Sequence, residues 1–405
     1  MSQVESALIF RDSVFLNIGT KMASISDSFK VNFMFLKPFG LWPGREMTRL
    51  YKYYSTVFIF VSLIVYNSLL ILNLVYTPRK IELMIREVIF FFTEVAVMGK
   101  VFMILRKRNK LLAVFDILDC KHFLGEDDVT RQIVHEHVSK YKTYWKIYAI
   151  LSNFAYSSQV FLPIFLHLIF KTNLELPICK YYFLNADVVS KYFVLCYIYQ
   201  SLGMYGHMTY NVNLDTIISG LIFMGITQLR VINHKFKNLK TCSKHVKRSN
   251  RCIDDEQIVK LNSYLKHYDI ILNYCTMIQE IINLTMFIQF GMASAIICVI
   301  LCGLILPSST EFLVFMVTYL FAMLTQIFVP AWLGTQLIYE SQDLVFAAYC
   351  SEWILRSERF KSSVKLFVQR ANTRIQLTSC GLFPLSLDTF VSVIKILLYT
   401  YFVTY

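Results

Sequence analysis

The amino-acid sequence predicts an all-α membrane protein with seven transmembrane helices. Of its 405 residues, 56% are hydrophobic and only 17% are charged, which leaves too little polar surface for a soluble domain of this length. Aromatic residues reach 16%, whereas glycine and proline are sparse, as in long helices that lie in lipid. Seven apolar stretches each match or exceed the length that a ~30 Å hydrocarbon core requires.

The apolar stretches alternate with more polar connections, and the first six lie within residues 56–333. The first fifty residues lack the basic and then apolar start of a secretory signal peptide, so we expect the first span to direct membrane insertion. The last span is the shortest of the seven. The predicted spans cover approximately residues 56–76, 88–105, 147–170, 192–225, 278–306, 312–333 and 390–405.

Lysine and arginine are concentrated in alternate connections. The segments 1–55, 106–145, 230–276 and 334–382 hold 31 of the 40 basic residues, whereas the connections on the other side hold 6. Because cytosolic segments of membrane proteins carry the excess of positive charge, we expect a cytosolic N-terminus and an extracellular C-terminus. The same rule accounts for the net charge of +13, so we expect no nucleic-acid partner.

Helices 4 to 6 are predicted to extend beyond the membrane on the cytosolic side. The helical pattern of the fourth continues from residue 192 to 232, or ~60 Å, which is twice the thickness of the hydrocarbon core. Residues 341–371 are too charged to span. We expect them to join these extensions in a cytosolic helical domain ahead of the last helix, 383–405. Their apolar stripe at helical spacing is Phe360, Val364, Phe367 and Ala371.

Six local patterns, in this order along the chain, resemble the insect odorant receptors. Each pattern alone is loose, but together they cover most of the sequence, and the C-terminal one resembles the family most closely. The patterns are KPFGLWPG (37–44), ELPICKYYFLNAD with YIYQ (175–187 and 197–200), NLDTIISGLIFMGITQLRVINHKF (213–236), HYDIILNYCTMIQEIINLTMFIQFGMASAIIC (267–298), AWLGTQLIYESQDLVFAAYCSEW (331–353) and RANTRIQLTSCGLFPLSLDTFVSVIKILLYTYFVTY (370–405).

The resemblance implies the ligand-binding subunit of a ligand-gated, non-selective cation channel that detects small volatile odorants. Members of the family assemble as tetramers, typically with the shared odorant receptor co-receptor, Orco, and the last helix of each subunit lines the pore. The expected location is the plasma membrane of olfactory sensory neuron dendrites, with membrane lipid around the spans. The predicted cytosolic helical domain would correspond to the family's anchor domain, where most contacts between subunits occur.

The resemblance also implies a ligand site in the outer halves of the second, third, fourth and sixth helices. These stretches are aromatic with a few polar side chains, as the burial and orientation of a small volatile molecule require. Ordinary packing between helices is the alternative explanation for each candidate. The expected ligand contacts are Phe91, Phe92, Glu94, Tyr156, Gln159, Pro163, Tyr197, Ser201, Met316 and Tyr319.

Two charged residues lie within the second span. A carboxylate such as that of Glu94 costs ~2.5–3.5 kcal/mol inside a membrane and usually faces a cavity or a partner. Glu94 therefore either recognises an amine or alcohol on the ligand, or bonds to a neighbouring serine, tyrosine or water, or is protonated. Lys100 lies nearer the cytosolic side, and we expect its long side chain to reach the headgroups.

The resemblance assigns five residues of the last span to the lining of the pore. The narrowest part of the pore maps to the last three of these residues. Lys395 shares a helix face with Ser392 and Tyr399. Because a lysine facing a cation pore opposes conduction, we expect Lys395 to face a cavity between helices or to reach toward the inner headgroups. The pore residues are Ser392, Tyr399, Phe402, Val403 and Thr404.

Other classes of protein fit the sequence less well. A gustatory receptor of the same superfamily is the first alternative, but its usual C-terminal pattern is absent. A transporter should show an internal repeat and interrupted helices, and a metabotropic seven-helix receptor should carry its basic loops on the opposite side. No paired carboxylates, nucleophile motif or metal constellation occurs in the loops, so we expect neither enzymatic activity nor a cofactor.

Overall fold

A computed structural model describes residues 24–41, 48–171, 173–239, 250–307, 309–351, 353–354 and 356–404. The side chains of residues 250–254 and 400–404 lie outside this description. Most of the described residues lie in long α-helices. They are α1 (Arg49–Tyr76), α2 (Ile81–Leu118), α3 (Asp128–Phe170), α4 (Phe193–Lys237), α5 (Asn250–Leu304), α6 (Thr310–Tyr349) and α7 (Leu387–Thr404).

Within the described ranges, α1 to α6 are each long and apolar enough to cross a membrane. Helix α7 has 18 residues and is the seventh predicted span. The all-α membrane fold is therefore confirmed. We use "outer" and "inner" for the ends of the bundle that the basic residues predict to be extracellular and cytosolic; the orientation itself stays a prediction.

Short helices and one hairpin connect the spans. A 3₁₀ turn (Ile25–Phe29) and a helix (Lys30–Leu36) precede α1, and α1 contains a π-helical segment (Phe60–Val65). The remaining short elements are the helices Lys121–Leu124, Ala186–Lys191 and Glu358–Ala371 and the strands β1 (Thr378–Ser379) and β2 (Phe383–Pro384).

The connection 106–145, predicted as a loop between spans, is helical over most of its length. Helix α2 continues to Leu118 and α3 begins at Asp128. The charged residues at the start of α3 suit a helix, because Arg131 pairs with Asp128 one turn away. Asp127 caps α3 by accepting a hydrogen bond from Thr130 N at 2.9 Å. Helices α2 and α3 therefore also continue beyond their predicted spans, as was predicted only for helices 4 to 6.

Helix α4 is the central element of the bundle. Of its most apolar stretch, 94% is buried, against 6% for α3. The helix Lys30–Leu36 packs against the inner half of α4, where Asn32 Nδ2 donates to Thr216 Oγ1 at 2.7 Å. Tyr141 of α3 donates to Asn32 Oδ1 at 3.0 Å. The segment before α1 is thus joined by buried hydrogen bonds to both α3 and α4.

The amphipathic helix Glu358–Ala371 forms part of the inner end of the bundle. Its predicted apolar stripe is confirmed, since Phe360, Val364, Phe367 and Ala371 are all buried. The ring of Phe367 stacks on that of Phe236 in α4, with the centroids 4.7 Å apart. This stacking packs the segment between α6 and α7 against the inner end of α4.

The β1–β2 hairpin precedes α7 and is held against α5 by two amide side chains. Gln279 Nε2 donates to Thr378 O at 2.7 Å, and Thr378 N donates to Gln279 Oε1, also at 2.7 Å. Cys380 N donates to Asn283 Oδ1 at 2.6 Å. Immediately after the hairpin, Gly334 of α6 lies so close to the backbone that an added Cβ would sit 2.0 Å from Leu385 O. The start of α7 is therefore fixed by both α5 and α6.

We predict that Gln279→Ala destabilises the protein by about 1–3 kcal/mol, because it leaves polar groups of the hairpin unpaired. The melting temperature of the purified protein, followed by tryptophan fluorescence, should fall. Asn262→Ala is the matched control, since Asn262 is an exposed residue on the same helix. Equal melting temperatures for the two variants would show that these bonds do not stabilise the hairpin.

Candidate ligand site and buried polar network

A second hydrophobic cluster, separate from the main core, lies at the outer end of the bundle. We call it the outer cluster. It combines residues of α1 to α4 with residues of the connection between α3 and α4, which we call the outer loop (173–185). The buried members of the outer cluster are Tyr66, Leu70, Phe90, Val160, Leu176, Ile178, Cys179, Tyr181 and Tyr197.

Three amide side chains hold the outer loop over this cluster. Gln200 of α4 accepts a hydrogen bond from Ile178 N at 3.1 Å and donates to Cys179 O at 2.9 Å. Gln159 of α3 donates to Pro177 O at 3.1 Å, and Asn73 of α1 accepts from Tyr182 N at 2.9 Å. The loop therefore covers the cluster as a lid whose backbone is bonded to three different helices.

The lid carries a buried thiol. Cys179 is a buried free cysteine whose Sγ lies 3.5 Å from Gln200 Nε2. Burial raises the pKa of the Cys179 thiol, so the group stays protonated and behaves as a small apolar side chain. Burial likewise raises the pKa of Tyr181 in the same loop. The underside of the lid is thus uncharged.

On the α3–α4 side, the predicted contacts Tyr156, Tyr197 and Ser201 lie close together. Tyr197 OH donates to Val160 O at 2.6 Å, and Tyr156 OH donates to Ser201 O at 3.2 Å. Ser201 Oγ donates back to Tyr197 O at 2.7 Å. The hydroxyls of all three residues are therefore hydrogen-bonded to helix backbone. The ring of Tyr197 belongs to the outer cluster, and that of Tyr156 packs against it.

On the α2–α6 side, Tyr319 packs against the outer cluster and its hydroxyl is hydrogen-bonded to Thr93. Tyr319 also lies edge-on to Phe90, with the centroids 6.2 Å apart. Among the other predicted contacts, Phe92 and Met316 pack with the main core. Phe91 contacts Phe92, and Pro163 is half-buried within α3.

Glu94 forms a buried ion pair with His207 of α4. Glu94 is 8% exposed and His207 is 3% exposed, and the carboxylate contacts His207 Nδ1. The other ring nitrogen, Nε2, is 2.6 Å from Ser62 O in α1, and Tyr66 stacks on the imidazole at a centroid distance of 4.7 Å. The structure thus gives Glu94 a partner within the protein, a histidine in place of the serine, tyrosine or water that the sequence suggested.

A second buried ion pair lies further toward the inner end. Lys100 Nζ is 2.6 Å from Asp215 Oδ1 and 2.6 Å from Asn211 Oδ1. Gln326 Nε2 of α6 donates to Asp215 Oδ2 at 2.9 Å and to Asn211 Oδ1 at 3.1 Å. Tyr148 of α3 donates to Asp215 Oδ2 at 3.4 Å. This network joins α2, α3, α4 and α6 around a single pair of charges.

The prediction that Lys100 reaches the headgroups is wrong. Its side chain is completely buried. The reason is that α2 continues to Leu118, so Lys100 lies inside the bundle and faces Asp215 across the α2–α4 contact. The lysine and aspartate were both visible in the sequence, but the pattern of each helix alone gave no register between them.

A cavity beside Asp215 has a volume of about 30 Å³ and is also lined by Tyr148, Gln289 and Gln326. This volume suits one or two water molecules and is too small for a volatile organic ligand. At the outer surface, an open cleft of about 710 Å³ is lined by Pro78, Glu82, Tyr182 and Leu306, among others. The outer cluster lies below the lid that forms one wall of this cleft.

On α7, the described side chains distinguish two faces. Ile394 and Leu397 pack against the main core. Ser392, Lys395 and Tyr399 share the exposed face of the subunit. The side chains of the other predicted pore residues, Phe402, Val403 and Thr404, lie outside the described residues.

Sequence reasoning missed Tyr66, Phe90, Tyr199 and the pairing role of His207. The resemblance implies a site in other helices, so it gives no reason to expect ligand contacts from the first span. A usable signal was the presence of one ionisable residue in each of two helices at similar depth, since Glu94 and His207 each follow the start of their helix by about four turns.

A family model described as 7tm Odorant receptor matches residues 80–398 of this chain. The match covers α2 to α6 and the first two-thirds of α7. The chain belongs to the 7tm odorant receptor family.

Curated odorant receptors align with parts of this family member. Odorant receptor 22b of Drosophila melanogaster is 24% identical over 72% of this chain and 68% of its own length. Odorant receptor 10 of Aedes albopictus is 22% identical over 44% of this chain, and the alignment spans only 46% of that receptor. The family match favours an odorant receptor over the gustatory alternative.

The fold of this odorant receptor family member also has a solved counterpart. The structure of the insect olfactory receptor OR5 from Machilis hrabei in complex with eugenol superposes with a TM-score of 0.79. The superposition covers 94% of this chain and 97% of that one, at 17% sequence identity. The likeness shows that the two proteins share a fold.

We predict that Lys100→Met strongly destabilises the receptor, by about 3–5 kcal/mol, because it leaves the Asp215 carboxylate buried without its counter-charge. Adding Asp215→Asn should recover much of the loss, since the amide keeps hydrogen-bonding capacity without a charge. Melting temperatures of the purified proteins would measure both effects. Lys365→Met, at an exposed position, is the control.

The double variant decides this prediction. The losses of stability of Lys100→Met and of Asp215→Asn are measured separately and added. If the double variant loses as much stability as this sum, the two side chains do not interact and the ion pair has no stabilising role.

Proposed function

We propose that this protein is the ligand-binding subunit of a heteromeric, ligand-gated, non-selective cation channel that detects small volatile molecules. The observation that carries the proposal is the lid-covered outer cluster in a member of the odorant receptor family. Its walls are apolar and rich in aromatic side chains, which suits ligands that bind chiefly by burial of apolar surface. The Machilis hrabei receptor that shares the fold was solved with a small aromatic ligand, eugenol.

The proposed ligand site includes the ten residues that the sequence predicts. Tyr156, Tyr197 and Tyr319 are the best supported, because they surround or belong to the outer cluster. Glu94 adds a charged group paired with His207 at the inner side of the cluster. The remaining candidates are Phe91, Phe92, Gln159, Pro163, Ser201 and Met316.

We further propose that the subunit assembles as a tetramer with the odorant receptor co-receptor, Orco, in the plasma membrane of olfactory sensory neuron dendrites. Large apolar side chains are exposed at the inner end of the bundle, where the predicted anchor domain lies. Exposed apolar patches of this kind mark contacts with other chains. They include Tyr339, Phe346, Tyr349, Ile354 and Leu366.

The pore in this proposal is lined by one face of α7 from each subunit. Ser392 and Tyr399 lie on the face that points away from the bundle, as a shared central pore requires. Phe402, Val403 and Thr404 would form its narrow outer part. Lys395 is exposed on the same face as Ser392 and Tyr399, so we now place its ammonium group at the pore wall or at a contact between subunits, in place of the cavity or inner headgroups expected from the sequence.

Electrophysiology tests the proposed function. We expect cells that express this chain together with Orco to pass a cation current when at least one member of a broad volatile panel is applied. Cells that express Orco alone, exposed to the same panel, are the control. If both chains reach the cell surface and no volatile evokes a current beyond the control, the channel proposal is wrong.

We predict that Lys395→Gln increases the single-channel cation conductance, because it removes a positive charge that repels permeating cations. The measurement is the single-channel current of the complex with Orco over a range of voltages. Lys365→Gln, on the exposed surface of the helix Glu358–Ala371, is the control. An unchanged conductance would mean that Lys395 does not face the ion path.

A further inference from the structure

Two tyrosine hydroxyls beside the outer cluster have no hydrogen-bond partner among the described residues. Tyr66 of α1 is only 3% exposed, and its hydroxyl oxygen is fully enclosed. The hydroxyl of Tyr199 in α4 is enclosed in the same way, and the two rings lie 6.0 Å apart. Burial of an unpaired hydroxyl is unfavourable, and such a group usually indicates a molecule that completes its hydrogen bonds.

The packing around Tyr66 fixes its ring in this position. The ring stacks on His207, with the centroids 4.7 Å apart. On α4, a Cβ added to Gly203 would lie 2.2 Å from the Tyr66 ring, so the approach requires a residue without a side chain. The Tyr66 hydroxyl is therefore held by its surroundings and does not simply turn toward another protein group.

Four polar side chains around the two tyrosines are already paired. Glu94 and His207 form an ion pair with each other, and Tyr197 donates to Val160 O. Gln200 is occupied by the backbone of the lid. A partner for the two free hydroxyls must therefore come from outside this set of side chains.

We propose that the hydroxyls of Tyr66 and Tyr199 donate hydrogen bonds to the oxygen atom of a neutral volatile alcohol, aldehyde, ketone or ester bound in the outer cluster. The inference rests on the proposed function and specifies its ligand class. It adds α1 to the helices that contact the ligand. The apolar part of the ligand packs among Leu70, Phe90 and Ile178, beneath the lid.

Charge restricts the class further. An amine needs a free carboxylate, whereas the Glu94 carboxylate is held by His207. The other buried carboxylate of α2, that of Glu87, interacts with the side chain of Asn73. A carboxylic acid would bring a second negative charge close to Glu94, whose partner His207 stacks on Tyr66. Like charges that are both buried repel each other strongly. A neutral oxygen compound accepts hydrogen bonds from the two tyrosine hydroxyls. It needs no carboxylate partner and adds no negative charge beside Glu94.

The test compares matched volatiles on the full chain co-expressed with Orco. The probes are seven-carbon compounds that differ only in their polar group: 1-heptanol, heptanal, 2-heptanone and 1-heptene. Tyr66→Phe and Tyr199→Phe each remove one hydroxyl with little change in shape. Tyr210→Phe is the matched control, because Tyr210 is buried in α4 and its hydroxyl is already bonded to Phe39 O at 2.6 Å.

We expect Tyr66→Phe to raise the half-maximal concentration of the best oxygen-bearing probe at least tenfold and to leave 1-heptene unchanged. Tyr199→Phe should act in the same direction, and Tyr210→Phe should preserve the ranking of the probes. An equal shift for all probes, or no shift in either variant, overturns the proposal. So does a purely structural result, in which the variants lose thermal stability without any change in ranking.

Binding to the purified protein separates this inference from the proposed function. The shift in melting temperature with each probe is measured without any current. Stabilisation by oxygen-bearing probes that is lost in Tyr66→Phe supports the ligand class even if no channel opens. A wild-type protein that is stabilised by none of these oxygen compounds overturns the inference, whatever currents other volatiles evoke.

Discussion

The fold depends on one constraint: polar groups inside a bilayer must be paired within the protein. Helix α4 concentrates this requirement, because it is buried along most of its length and carries His207, Asn211 and Asp215. Asp215 is paired with Lys100 of α2 and accepts a hydrogen bond from Gln326 of α6, so α2 and α6 contact α4 at the same position along its length. With the register fixed there, the outer and inner halves of the bundle can differ in composition.

The two halves show different solutions to the same constraint. In the outer half, aromatic side chains form a cluster beneath a loop whose backbone is bonded to amides from three helices. In the inner half, side chains hold the β1–β2 hairpin and the start of α7 against α5 and α6. Helices α2 and α4 run from the outer cluster to the inner half without a break, so in the proposed function they would transmit a ligand-induced change in packing.

Much of the fold follows from sequence alone, because hydropathy, basic-residue counts and the stripe from Phe360 to Ala371 each report a local property. The spans and the amphipathic helix were predicted for that reason. The contacts between helices do not follow from the sequence, because they depend on the register of one helix against another. Lys100 is the example: its own helix predicts a position near the headgroups, whereas it pairs with Asp215 of α4. The position of Tyr66 in the outer cluster could not be predicted for the same reason, because it depends on the space that Gly203 of α4 leaves for the ring.

The central claim is that a volatile ligand binds in the outer cluster and thereby opens the pore lined by α7. A cryo-electron microscopy comparison of the complex with Orco in lipid nanodiscs, with and without an activating volatile, tests it most directly. The account predicts ligand density beneath the outer loop, between Tyr66, Phe90 and Tyr197, and a wider pore at α7 in the bound state. Ligand density in any other place, or an unchanged α7 pore with the site occupied, would contradict it.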